Sequence, residues 1–378
     1  MKKQIRVLTV IKHPVGGIRT YLRYTYGKLD KEKYHFTIIT TRQMEAAQIK
    51  EDLRGFDLNL IECNQFDIYF AYFLFKLLLK ERINVIHSQG ASCCLLVSTL
   101  NMFFRLPHIV TFHETFDENT IRGQFITLKR KIMSYLFSQA DILNMVGQDA
   151  RDNFLSYFPE IKKCEEKVVV IPNGIDAELF KEKLDHLKCL MEMPGIEKGS
   201  FVIGYFGRFM PEKGFPVLID ALEILNQSPA SIQNLKILAF GWGAFIREYK
   251  AIIKDKKIDK YFIFCGFQND ICWVLRQINL LVIPSLREAF GLIAVEGLVT
   301  GTPIVASDCV GLREVLRGTP ATLVKSGNAV ALASAILARM ENPEKQQATE
   351  FISKAAQRFD SCITARRLEE LFEKLRKK

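Results

Sequence analysis

Short apolar runs rich in β-branched side chains alternate along the chain with longer stretches in which apolar residues recur at helical spacing. The runs Ile5–Ile11, His35–Thr40, Val85–His87, His108–Phe112, Ile142–Met145 and Val168–Ile171 predict one series of strands. A second series comprises Phe201–Phe206, Leu235–Phe240, Tyr261–Cys265, Leu280–Ile283 and Thr302–Ala306. Strands of this kind, each followed by a helical stretch, build βαβ units on a parallel sheet, because a strand covered on both faces reads as an unbroken apolar run. Two series predict an α/β chain with two doubly wound domains.

The predicted boundary follows the turn Pro172-Asn173-Gly174, since Lys181–Gly199 is charged, carries Pro194-Gly195 and lacks a sustained apolar period. The domains are therefore read as 1–176 and 177–356. Residues 357–378 form an amphipathic terminal helix (Phe359, Ile363, Leu368, Leu371, Phe372, Leu375). The most hydrophobic segment is Phe66–Lys80, whose uninterrupted run Ile68–Phe75 falls far short of the ~20 residues of a membrane span. It is predicted to be a helix buried between a sheet and its neighbours, with an interfacial membrane helix as the alternative.

Composition narrows the class. The 378 residues are 48% hydrophobic and 25% charged, which excludes a disordered, collagenous or disulfide-scaffold chain. Nine scattered cysteines with no C-x-x-C suit neither a zinc site nor a disulfide framework, so reduced thiols in a cytoplasmic protein are expected. The net charge of +10 points to an acidic partner, but no helix-turn-helix, zinc or stacking motif supports nucleic acid.

Two motifs carry candidate chemistry. Following the strand Leu280–Ile283, the stretch Pro284 to Leu298 carries Glu288 and Glu296 with seven residues between them, Gly291 among these. A helix starting near Phe290-Gly291 would offer free N–H groups and a positive dipole end to an anion, with the glycine letting a phosphate approach. Glu288 at the mouth and Glu296 within the helix could then hold hydroxyls on either side of a diphosphate. A capping carboxylate and an exposed helical one are the alternative. Following Phe201–Phe206, the stretch Gly207-Arg208…Lys213-Gly214 places two cations at a strand's carboxyl end, where they suit a diphosphate leaving group, or form a solvated basic loop.

These two motifs, together with Ile171-Pro172-Asn173-Gly174-Ile175-Asp176 and His13-Pro14-Val15-Gly16-Gly17, resemble glycosyltransferase family 4 in order and spacing across nearly the whole chain. The resemblance implies the GT-B fold, two Rossmann-like domains facing across a cleft. It implies a nucleotide sugar held by the C-terminal domain, an acceptor held by the N-terminal domain, and a final helix crossing back onto the latter. It assigns Arg208 and Lys213 to neutralise the diphosphate, in place of the metal used by other glycosyltransferases; no Asp-x-Asp is present. Glu288 would contact the transferred sugar, Glu296 the ribose hydroxyls, and the backbone of Phe290, Gly291 and Leu292 the distal phosphate. Gly207 opens the basic loop, and Gly266-Phe267 would border the base. Gly16 and Gly17 would approach the diphosphate or acceptor, and His113 the donor sugar; taken alone, that histidine also reads as a structural hydrogen-bonder. Glu114 is left unassigned.

The family's implied reaction is retaining hexosyl transfer without a metal or other cofactor, from a uridine-diphosphate rather than a guanosine-diphosphate sugar. The implied acceptor is a hydroxyl of a glycan or lipid-linked glycan in bacterial surface polysaccharide or glycolipid synthesis. A nucleotide-sugar epimerase or a phosphorylase on the same scaffold, or a binding protein without transfer, are the rival readings. The first 176 residues and the last 22 carry eight of the ten surplus positive charges. Peripheral contact of that part with an anionic membrane at the inner face of the cytoplasmic membrane is therefore expected, through Arg122, Lys129, Arg130 and Lys131.

Overall fold

The computed structural model describes all residues except 1–3, 44–45, 119–122, 124, 181–189, 228–231, 344 and 377–378. The chain forms two units, Met1–Ile175 with Asp360–Lys378, and Asp176–Phe359.

In the first unit, β1 (Ile5–Ile11), α1 (Gly17–Thr25), β2 (Tyr34–Thr41), α2 (Gln48–Asp52) and β3 (Asp57–Cys63) are followed by α3 (Ile68–Lys80), β4 (Val85–Gln89) and α4 (Ala91–Phe104). Then come β5 (His108–Phe112), α5 (Ile126–Ser138), β6 (Ile142–Met145), α6 (Gln148–Tyr157) and β7 (Val168–Val170). The sheet is parallel throughout, in the order β3-β2-β1-β4-β5-β6-β7. Strand progression reverses after β3, so α1 and α2 cover one face and α3, α4 and α5 the other. On the first face Tyr21, Leu22 and Ile49 meet Val7, Phe36 and Ile38; on the second, Phe70, Leu74 and Cys93 meet Leu8, Val10 and Ile86.

The second unit runs β8 (Phe201–Phe206), α7 (Phe215–Asn226), β9 (Leu235–Phe240), α8 (Ile246–Asp255), β10 (Phe262–Gly266), α9 (Cys272–Gln277) and β11 (Leu280–Ile283). It continues with α10 (Leu292–Thr300), β12 (Ile304–Asp308), α11 (Leu312–Leu316), β13 (Thr322–Lys325), α12 (Ala329–Glu341), α13 (Lys345–Glu350) and α14 (Ile352–Arg358). Its parallel sheet has the order β10-β9-β8-β11-β12-β13. The terminal segment expected as one helix from 357 is instead broken at Phe359-Asp360, with α15 (Ser361–Arg376) following. Leu368, Phe372 and Leu375 of α15 complete the core over β1 and β2. Lys33 bonds to Glu369 at 2.8 Å and also to Glu373, Thr364 Oγ1 donates to the Pro172 carbonyl at 2.8 Å, and the Ser361 N–H to that of Ile175 at 3.0 Å.

Two strands escape the hydrophobic pattern. Both β3 and β13 are sheet edges, where alternate side chains face water, and their polar residues break the apolar run. A third difference concerns α3: only one stripe, Phe70, Leu74 and Leu78, is buried, while Ile68, Tyr69, Tyr72, Phe73 and Leu79 are exposed. No helix among the described residues is long and apolar enough to cross a membrane, and the described cysteines are free thiols.

A buried polar ladder ties the first sheet together. Thr9 Oγ1 lies 3.0 Å from the Tyr26 hydroxyl, which lies 2.7 Å from His87 Nδ1; His87 Nε2 lies 2.8 Å from Thr111 Oγ1, to which Asn144 donates at 3.1 Å. Asn144 in turn accepts the Ile171 N–H at 3.0 Å. Burial lowers the imidazoles of His87 and His108 to about 3, so both are neutral in the fold and must take up a proton on unfolding below about pH 6.5. Their contribution is complete above that pH and is lost as pH falls towards the native value. With His113, whose imidazole burial lowers likewise, denaturant unfolding should therefore lose about 4 kcal/mol between about pH 7.5 and 5.5, with uptake of about three protons; an unchanged midpoint would contradict the buried neutral imidazoles.

Candidate active site

In the second sheet the chain winds outward through β8, β9 and β10, then returns to the other side of β8 with β11. That reversal opens a crevice at the carboxyl ends of β8 and β11, the place where doubly wound sheets bind ligands. The loops bearing the two sequence motifs leave these two strands. They are joined backbone to backbone: Leu286 N–H donates to the Glu212 carbonyl at 2.9 Å and Arg287 N–H at 3.3 Å. Gly214, at φ +65°, sits so close to the partner loop that a Cβ would lie 1.8 Å from the Pro284 carbonyl oxygen.

This convergence brings Lys213 and Glu288 together. Lys213 Nζ donates to Glu288 Oε1 at 2.5 Å, and the buried Ser285 hydroxyl donates to the same oxygen at 3.2 Å. Arg208 is more exposed and lies 3.5 Å from Glu212. Both cations thus have carboxylate neighbours, and an incoming diphosphate would exchange with those carboxylates. Gly207 closes β8 through its N–H to the Phe240 carbonyl at 3.1 Å.

The loop then enters α10. Gly291 is its N-cap, no side chain caps it, and the first-turn N–H groups are the donors a helix leaves open to an anion. The backbone there is at φ +86°, and a Cβ on this residue would lie 2.5 Å from Leu312 Cδ2, so the glycine is required by its backbone and by the packing of α11. The missing side chain therefore has a packing reason besides the expected phosphate approach. Phe290 is buried against Phe359, with ring centroids 6.1 Å apart, so only its backbone is available. Leu292 begins the helix. Glu296 is 7% exposed, which removes the reading of it as a solvent-facing helical carboxylate. Gly266 ends β10 and the half-exposed Phe267 follows it, two strands away from β8 at the sheet edge, and the space beside Gly266 is open.

In the first unit the reversal lies between β1 and β4. Gly16 caps α1 immediately after the β1 loop, and space beside Gly16 and Gly17 is open, leaving their backbone accessible. His113 follows β5; its Nε2 lies 2.8 Å from Gln89 Oε1 at the end of β4, and its ring meets Tyr21 edge-on at 4.8 Å. Burial lowers its pKa to about 3, making it a neutral hydrogen-bonding group rather than a cation. Glu114 turns inward, accepting the Ala91 N–H and, at 3.0 Å, the His113 N–H. It caps α4 and steadies the loop that carries His113; burial pushes its carboxyl upward while these N–H groups oppose the shift.

Sequence reading missed Glu212, Ser285 and Leu312. Glu212 was legible as the carboxylate four residues after Arg208, but Ser285 and Leu312 act through loop-to-loop contact that no local pattern encodes.

A family sequence profile described as "Glycosyltransferase Family 4" matches residues 15–179, and one described as "Glycosyl transferases group 1" matches 190–358. The Escherichia coli UDP-Gal:alpha-D-GlcNAc-diphosphoundecaprenol alpha-1,3-galactosyltransferase is 24% identical over 63% of this chain and 61% of its own length. The D-inositol 3-phosphate glycosyltransferase of Corynebacterium glutamicum (strain R) is 24% identical over 94% of this chain and 91% of its own. Anabaena Alr3699/HepE, solved in complex with UDP-glucose, has a TM-score of 0.82 at 20% identity, covering 98% of this chain and 100% of that one. With a profile on each unit and two Rossmann-like sheets of the GT-B type, the chain belongs to glycosyltransferase family 4.

Proposed function

We propose that the protein is a hexosyltransferase that moves a sugar from a nucleotide diphosphate to a hydroxyl of a glycan or lipid-linked glycan. The observation that carries this reading is the convergence of Arg208, Lys213, Glu288 and the uncapped start of α10 on one crevice of the second unit. A diphosphate there meets two fixed cations and a helix N-terminus, the donors needed where negative charge develops as a glycosidic bond breaks. Glu288, released from Lys213 when phosphate arrives, is free to hold a sugar hydroxyl; Glu296 is assigned to the ribose, and Gly266-Phe267 to the base. In the first unit His113, as a neutral imidazole, is assigned to a sugar hydroxyl, and Gly16-Gly17 bring backbone amides to the substrate.

In the retaining mechanism we infer, the bond from the anomeric carbon to the departing phosphate breaks and a bond to the acceptor oxygen forms on the same face. The acceptor's proton passes to a phosphate oxygen, so no protein base is required. Arg208 and Lys213 take the part of a divalent ion, and a chelator should leave the rate unchanged. The complex of Alr3699/HepE with UDP-glucose supports a uridine-diphosphate donor. The diphosphoundecaprenol in the E. coli relative's name supports a lipid-linked acceptor and surface polysaccharide or glycolipid assembly on the cytoplasmic side of a membrane.

A panel of nucleotide sugars, read by donor hydrolysis and thermal stabilisation, tests the reading, with UDP-sugars expected to respond most. Arg208→Ala and Lys213→Ala should each lower kcat/KM about 10²- to 10³-fold while the far-ultraviolet spectrum stays native; near-normal transfer by either variant would reject the assignment. Because Glu212 competes for Arg208 at an exposed position, Glu212→Gln should tighten UDP binding about two- to fivefold in calorimetry. Weaker binding would show that Glu212 positions Arg208 rather than competing with phosphate.

A further inference from the structure

The outward face of α3 has the wrong chemistry for water. An exposed helical face is ordinarily polar, yet Ile68 is 77% and Tyr69 69% exposed, with Tyr72 and Phe73 one turn further on the same stripe. Phe75 of α3 meets Phe104 of α4 at 5.4 Å, and the end of α4 carries Phe103, 80% exposed. On the far side of α4, α5 packs against it and exposes Leu128, Ile132 and Tyr135 at helical spacing. Three neighbouring helices on one face of the first sheet therefore present apolar and aromatic side chains outward, and exposed apolar side chains grouped in this way mark interaction sites.

Its charge is one-sided. None of α3, α4 and α5 contains Asp or Glu, while Lys76, Lys80, Lys129, Arg130 and Lys131 lie on α3 and α5 and Arg105 ends α4. The two acids flanking α3 are engaged: Asp67 caps the helix and Glu81 accepts from Thr37 at 3.0 Å. Lys76 Nζ stands 4.4 Å from the centre of the Tyr72 ring, an ammonium set beside an aromatic face. Of the bases singled out on charge alone, Lys129 and Lys131 are exposed here; Arg130 is turned to the Tyr157 carbonyl, 2.9 Å from its Nε, and Arg122 lies outside the described residues.

We propose that the α3–α4–α5 face docks on an anionic lipid bilayer, its aromatic and aliphatic side chains entering the headgroup boundary while its lysines meet lipid phosphates. Apolar residues interleaved with lysines suit that interface, where charged heads stay wet and stems and rings are buried. A second copy seated on the same face would bring the lysines of α3 and α5 up against their own copies. The proposal adds a partner to the acceptor side of the transferase reading, and vesicle binding is measured without donor or acceptor, so either can fail alone.

The test is co-sedimentation of the full chain with phosphatidylcholine vesicles and with vesicles also containing phosphatidylglycerol. Binding is expected only to the latter, with a fraction that survives high salt. Lys129→Ala with Lys131→Ala should weaken it by about fivefold per charge removed. Tyr72→Ser with Phe103→Ser should abolish the salt-resistant fraction while melting temperature and donor hydrolysis stay unchanged. In the Phe103→Trp variant, bromolipids should quench fluorescence beyond what the native tryptophans show. No sedimentation with anionic vesicles at low salt would overturn the proposal, as would binding lost wholly to salt with the introduced indole unquenched. A wild-type dimer that these serine substitutions dissociate, without vesicle binding, would reassign the face to a second copy.

Discussion

The candidate donor crevice depends on the loops after β8 and β11 being held against each other. The reversal of strand order makes them neighbours, but neighbouring loops do not align side chains unaided. Gly214 removes the steric barrier to Pro284, the Glu212 carbonyl accepts two N–H groups from the partner loop, and Lys213 reaches Glu288 across the seam. Each group placed at a candidate substrate contact is thus also a strut. A carboxylate 13% exposed beside an ammonium 24% exposed is largely withdrawn from water, and losing one partner leaves the other poorly compensated. The site is organised before ligand arrives, at the expense of having its cations already engaged.

Much of this was legible in the sequence because central parallel strands leave a strong mark. β1, β5, β8 and β11 are covered on both faces and read as apolar runs, and the loops after them announce themselves by glycine and charge. The edges β3 and β13 were not legible, since half their side chains face water and their pattern resembles a loop's. Individual site residues divide in the same way. The spacing of Glu288 and Glu296 was visible, whereas the burial of Glu296 depends on what packs around α10. The packing reason for Gly291 was hidden because Leu312 is distant in sequence, and the inward turn of Glu114 depends on where α4 begins.

The first unit is built on a different device. Its central strands are cross-linked beneath their carboxyl ends by the ladder from Thr9 through His87 and Thr111 to Asn144, and the last rung accepts an N–H from Ile171. Buried polar groups are costly unless every partner is in place, so such a ladder favours one strand register over its neighbours. Phe372 of α15 lies 5.6 Å from the His87 ring and 5.7 Å from that of Tyr34, so the end of the chain closes the core over this network. The first unit is therefore completed only after the second has been synthesised.

The distribution of charge follows from these two designs. In the second unit each candidate diphosphate-binding cation has an acid within reach, Arg208 with Glu212 and Lys213 with Glu288, so a donor site need not give its domain a large net charge. In the first unit α15 brings Glu369 and Glu373 to Lys33, whereas α3, α4 and α5 contain no acid of their own. The bases of α3 and α5 lie among exposed Ile, Phe and Tyr side chains, a combination that raises the free energy of the solvated surface without helping the core behind it. Phe70, Leu74 and Leu78 already bury the inner stripe of α3, so nothing in the packing of the sheet requires the outer stripe to be apolar. A constraint from outside the folded unit explains both features together, and it acts on a face whose residues are separate from those of the donor crevice.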